Sequence, residues 1–145
     1  MSAVFALDTS CMVAAVCAWH EQHAGAVAEI RRRLERGERL TVSAQALAET
    51  YAVLTRLPAP HRLSPGDAWA LVEANFVERR NVAALDSAAY VALLRELAER
   101  GVGGGRTYDA VIAACAREAK ATALLTFNRR HFEPPPEGVR VIEPA

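Results

Sequence analysis

Three carboxylates in this chain stand where a purely solvent-facing explanation is weak. Asp8 directly follows the apolar run Ala3–Leu7 and precedes Thr9 and Ser10. A helix N-cap would suit it, yet either hydroxyl neighbour could cap equally well, so capping alone does not call for an acid. Glu49 is the only charged residue between Arg39 and Arg56, and its helical neighbours are Gln45, Ala46, Ala52 and Val53. A solvated helix face carries more charge than that. The carboxylate is therefore expected to be half-buried, with an Arg, a proton or a metal ion to compensate it. Asp109 lies in the first turn of a helix whose next charge is Arg117, where the helix dipole favours an acid in its own right. The chain has only four Asp, and two of them belong to this set. Acids brought together repel and raise the pKa of at least one of them. A divalent cation that takes hard oxygen ligands, Mg²⁺ or Mn²⁺, relieves that repulsion.

A basic pole accompanies the acids. The segment Leu124–Phe132 ends a strand with Asn128 and continues as Arg129, Arg130 and His131. The Asn128 amide oxygen could bind a metal or its water, although Asn also suits a turn. The two Arg have the geometry for phosphate, against the alternative of an ordinary solvated loop. Gly101–Gly105 follows a helix rather than a strand and lacks a Gly-Lys-Ser/Thr ending, so it reads as a flexible link and not as a nucleotide loop. Its bare backbone, with Arg106, lets a polynucleotide approach closely. His20 and His23 read as a surface pair.

The elements that must position these residues alternate. Strands are expected at Ala3–Leu7, Leu40–Ser43, Asn81–Leu85, Thr122–Thr126 and Val139–Ile142. Helices are expected at Ser10–Trp19, Ala24–Arg36, Ala44–Arg56, Pro65–Arg79 behind an N-cap at Ser64, Ser87 to about Gly101, and Thr107–Lys120. Short apolar strands alternating with helices specify an α/β domain with a mostly parallel sheet covered on both faces. Ligands in such sheets bind at the carboxyl ends of the strands, near a switch in strand order. Asp8 follows a strand directly, and Asn128 stands just past the end of another.

The 145 residues suit one domain, 1–145, with a sizeable core, since 52% are apolar. Lys and Arg balance Asp and Glu at 17 each, which argues against attraction of nucleic acid by a bulk field but leaves room for a local basic patch. Three Cys cannot all pair, and their spacing suits neither zinc nor a redox pair. They read as small core residues in a reducing cytoplasm. No targeting segment is legible. The longest apolar run near the start, Cys11–Trp19, falls well short of the ~20 residues that span a bilayer.

Four segments taken together resemble the PIN-domain nucleases, and within them the VapC-type toxins of bacterial toxin–antitoxin pairs. They are Leu7–Ser10, Ala44–Tyr51, Tyr108–Ala116 and Leu124–Asn128. Each is weak alone, but the order and spacing of the set are fairly specific, and it spans almost the whole chain. The resemblance implies a three-layer α/β/α sandwich with a central parallel sheet and acids converging at strand ends on Mg²⁺ or Mn²⁺. It matches Asp8, Glu49 and Asp109 to the metal-binding acids, with Asn128 where many members carry a fourth. That departure removes one negative charge and bears on a second metal position. The implied activity is metal-assisted hydrolysis of RNA, leaving 5′-phosphate and 3′-hydroxyl ends, with Asp8, Glu49, Asp109 and Asn128 as the catalytic set. Thr9 and Thr126 would complete a hydroxyl shell and, with Arg106, Arg129 and Arg130, face the substrate. The implied partners are a cognate VapB-type antitoxin and a second copy in a homodimer, with no membrane. Trp69, Leu71, Val72 and Phe76 would line the dimer or antitoxin face, unless they are core. The alternatives are a PIN nuclease of RNA processing, a degenerate binding domain, and a phosphotransfer receiver, which Lys120 fits poorly because it precedes the fourth strand.

Overall fold

The computed structural model describes residues 3–145. Five strands form one sheet: β1 (Val4–Leu7), β2 (Arg39–Ser43), β3 (Asn81–Ala83), β4 (Ala123–Leu125) and β5 (Arg140–Ile142). Their order is β3-β2-β1-β4-β5, and every pairing is parallel. The six α-helices are α1 (Thr9–Val16), α2 (His23–Glu35), α3 (Ala44–Arg56), α4 (Pro65–Val72), α5 (Ser87–Glu99) and α6 (Arg106–Glu118). Helices α1, α2, α3 and α4 pack on one another and α5 packs on α6, which gives the expected three layers. Phe5, Leu7, Val42, Leu124 and Leu125 are fully buried in the sheet, with Met12, Leu54 and Ile112 packed from the helices. Strands covered on both faces read as continuous apolar runs for this reason.

Local chemistry starts the helices where the sequence predicts. The side chains of Asp8, Ser43, Ser64 and Asp86 accept the N–H of Cys11, Ala46, Asp67 and Ala89, respectively. The α5–α6 link turns through Gly101 and Gly104, at φ +69° and +62°, values that glycine adopts without steric cost.

Three expectations need correction. Helix α1 stops at Val16 rather than Trp19, because Cys17 is extended and the following residues form turns. The β3 strand ends at Ala83, and Leu85 instead packs on Val111 and Cys115. The helix expected to reach about Arg79 runs on from Val72 as a π-helical turn, Glu73–Val77, and stops there because Glu78 is extended. Of the apolar residues considered for an interface, Val72 and Phe76 are core, Leu71 is partly buried against it, and Trp69 stays exposed. Among the described residues, no helix is long and apolar enough to cross a membrane.

The strand order places the site. From β1 the chain moves outward to β2 and β3, then returns across the sheet to β4 on the other side of β1. The carboxyl ends of β1 and β4 therefore flank the switch in strand order, where an open α/β sheet leaves a crevice.

Candidate active site

Asp8 leaves β1 at that crevice. Its Oδ1 accepts the Ser10 hydroxyl at 2.6 Å and the Cys11 N–H at 3.0 Å, and its Oδ2 accepts the Thr126 hydroxyl at 2.5 Å. The residue is 3% exposed. Burial pushes its carboxyl above the ordinary range; the Ser10, Thr126 and Cys11 donors oppose this, and the Asp109 charge adds to it. A carboxylate oxygen has about two lone-pair sites, so Oδ1 is saturated while Oδ2 keeps one acceptor site.

Two hydroxyls tie the β4 exit to the start of α1. Thr126 also accepts the Asn128 N–H at 2.8 Å, and Ser10 accepts the Phe127 N–H at 3.0 Å. Thr126 is fully buried, so the expectation that it touches substrate is corrected: its hydroxyl points inward and orients Asp8. Ser10 acts in the same way, and sequence reading did not single it out. The only hint was a hydroxyl two residues after an acid.

Glu49 projects from α3, half-buried as expected. The Thr9 hydroxyl donates to its Oε1 at 3.4 Å. No Arg or Lys pairs with it among the described residues. Asp109 comes from the first turn of α6, with His131 Nδ1 at 3.2 Å from its Oδ2. Burial raises the Asp109 pKa and Glu49 adds to this; His131 and Arg106 work the other way without cancelling it. His131 lies in a 3₁₀ turn, Arg129–Phe132. In the sequence His131 stands out only as loop charge, because nothing local links it to Asp109.

Asp8, Thr9, Glu49, Arg106, Asp109 and Asn128 line one cleft of about 650 Å³, together with His20, Gln22 and His131. Arg129 and Arg130 do not line it. They border an adjoining groove with Glu133 and Glu143, and the Arg106 guanidinium donates to the Arg130 carbonyl at 3.3 Å. The expected basic rim thus consists of Arg106 at the cleft and two Arg one groove away.

Among the described residues, no three His, Cys, Asp or Glu side chains are drawn together closely enough to hold a metal ion at once. The donor chemistry nevertheless fits a hard cation. Asp8 keeps an acceptor site on Oδ2, and no protein donor engages Asp109 Oδ1 or Glu49 Oε2 among the described residues. The Asp109 charge makes ionising Asp8 costlier, and the Glu49 charge does the same to Asp109.

Comparison with known proteins agrees with this geometry. The family model described as PIN domain matches residues 5–135. Ribonuclease VapC40 of Mycobacterium tuberculosis is 44% identical over 130 residues, covering 90% of each chain. Ribonuclease VapC27 of the same species is 37% identical over 121 residues, covering 83% of this chain and 82% of that one. Among solved structures, M. tuberculosis VapC20, described as a sarcin-ricin loop cleaving toxin, superposes with a TM-score of 0.68 at 20% identity, covering 94% of this chain and 98% of that one. The VapC-containing complex VapBC of Salmonella typhimurium, solved bound to DNA, gives 0.66 at 25% identity, over 99% and 98% of the two chains. With its acids at the switch point of an all-parallel five-stranded sheet and these relatives alongside, this chain belongs to the PIN-domain family, in company with the VapC proteins.

Proposed function

We propose that this protein is a metal-dependent endoribonuclease and the toxin of a toxin–antitoxin pair, acting in the cytoplasm. The observation that carries the reading is the convergence of Asp8, Glu49 and Asp109, from three distant segments, on one cleft that also holds Arg106. The relatives named as ribonucleases support RNA as the substrate.

Asp8 and Asp109 would hold Mg²⁺ or Mn²⁺, with Glu49 drawn in as a third ligand or orienting a bound water. When bound, the ion would offset the charge of the acids, lower the pKa of a bound water and steady charge on the phosphoryl oxygens. Ser10 and Thr126 keep the Asp8 carboxylate oriented through their hydroxyls, so its ligating position needs no reorganisation. His131 does the same for Asp109. Arg106 meets the phosphate backbone from the open side of the cleft, and Asn128 offers a neutral amide beside it. A VapB-type antitoxin would restrain the toxin, supported by the VapBC complexes among the structural neighbours, and the functional unit would be a homodimer.

Incubating the purified protein with total cellular RNA, with and without Mg²⁺ or Mn²⁺, tests this. Discrete fragments that require metal are expected, and Asp109→Ala should remove them. Cleavage that persists in excess chelator would overturn the metal reading. Growth unaffected by inducing the protein would overturn the toxin reading.

A further inference from the structure

The early end of α1 leaves an ordered turn, residues 17–22, beside the acid cleft. The His20 N–H donates to the Cys17 carbonyl at 2.9 Å, and the His23 N–H to the His20 carbonyl at 3.0 Å. The His20 Nδ1 accepts the Gln22 N–H at 3.1 Å, which fixes the ring and leaves Nε2 as its donor. His20 and Gln22 line the cleft wall. Next to them, Trp19 is 48% exposed. His61, from the loop after α3, stacks on its ring at 4.2 Å between centroids and 23° between planes, and the His20 ring lies tilted at 5.8 Å. An indole half in water keeps a large apolar face available for burial against a partner. Trp69, 46% exposed on α4, stacks on no ring among the described residues.

We propose that Trp19, backed by His61, is a stacking platform for an unpaired base of the RNA, adjacent to the nucleotide whose phosphate enters the acid cleft. This rests on the ribonuclease reading above and narrows it. His20, the residue next to Trp19, lines the cleft along with Arg106, so one strand can lay a base on Trp19 while its backbone runs past Arg106. Bases in a duplex already have both faces stacked, and only a single-stranded or splayed-out nucleotide offers one. Stacking tolerates sequence because every base has a π-face; the platform selects for strandedness more than for letter.

The test uses a short single-stranded oligoribonucleotide that the wild type cleaves, plus copies carrying one abasic site at each position around the cleaved bond. Trp19→Ala should raise KM about tenfold with little change in kcat; Trp19→Phe should restore most of it, and Trp69→Ala should change nothing. One abasic position should reproduce the loss in the wild type and add none in Trp19→Ala. Independently, indole fluorescence of a Trp69→Phe, Asp109→Asn protein should be quenched when the oligonucleotide binds. An unchanged KM in Trp19→Ala would overturn the platform, as would a loss equal for every abasic copy, which marks a structural role. In either case wild-type cleavage leaves the ribonuclease reading standing. A wild type that cleaves no RNA with any metal overturns that reading instead, and the platform with it.

Discussion

Glu29 and Glu38, around the end of α2, are each clamped by arginines, whereas Asp8, Glu49 and Asp109 are left largely to one another. Glu29 pairs with Arg32 and with Arg33 at 2.7 Å; Glu38 pairs with Arg33 at 3.0 Å and Arg36 at 2.6 Å. Burial alone would raise the Glu29 pKa, yet Arg32 and Arg33 more than reverse it, and the carboxyl sits below its ordinary value. In the cleft, Asp8 and Asp109 are both pushed up. Asp109 has the His131 imidazole beside it and the Arg106 charge near it, which together do not cancel the rise, and Asp8 is held by neutral donors. Both regions contain shielded acids, so burial does not separate them. The difference lies in where the neutralising charge comes from. Around α2 the chain supplies it from residues two to five positions away; in the cleft it is left largely to come from outside.

That contrast breaks most sharply by mutation. Thr126→Val removes the hydroxyl that Asp8 accepts and leaves the Asn128 N–H without an acceptor, while keeping shape. Mn²⁺ affinity by calorimetry, and cleavage rate, should fall by about 10–100-fold. Arg33→Met should cost about 2 kcal/mol in urea unfolding and leave cleavage per folded molecule at the wild-type level. Equal effects of the two on cleavage would end the distinction.

Adding a cation sharpens it next. At neutral pH, Mn²⁺ should raise the Tm of the wild type by mass action on the folded state and leave Asp8→Asn unmoved. A smaller effect follows from protons. Asp8 has a raised folded pKa, so the folded state binds more protons than the unfolded one between the ordinary carboxylate value and that raised value. Metal-free stability is thus greatest with the proton bound and is lost as pH rises through this window. Thermal melts in chelator should show this falling slope in the wild type and a flatter one in Asp8→Asn; matching slopes would count against it. The mildest change is Asn128→Asp, which restores a fourth acid at the cleft. Mn²⁺ titration should show severalfold tighter binding, and unchanged affinity would place Asn128 outside the ligand set.

Much of the fold was legible because its signals are local. Each strand is a short apolar run, and Asp8, Ser43, Ser64 and Asp86 announce helix starts through bonds to N–H groups three residues on. The boundaries that slipped did so where tertiary packing overrides propensity, as where Leu85 joins Val111 and Cys115 rather than extending β3. Within the site, Asp8, Glu49 and Asp109 were legible as acids lacking a local partner. Their supports were not. Thr126 and Ser10 are ordinary hydroxyls until β4 is laid beside β1, and His131 is ordinary loop charge until its turn meets α6.

The sequence by itself determined the alternation of strands and helices, the caps, and the short list of acids that a surface would not explain. All of these depend on bonds and periodicities within a turn or two of chain. Only the tertiary structure decided which groups meet. The strand order β3-β2-β1-β4-β5 closes contacts across 40 residues from Thr9 to Glu49 and 118 residues from Asp8 to Thr126. It also decided that Arg129 and Arg130 lie one groove from the cleft and that Trp19 leaves its helix to stack on His61. Contacts at such separations leave no local pattern, since they form only when the sheet brings strand ends together and burial removes the water that would otherwise satisfy each group.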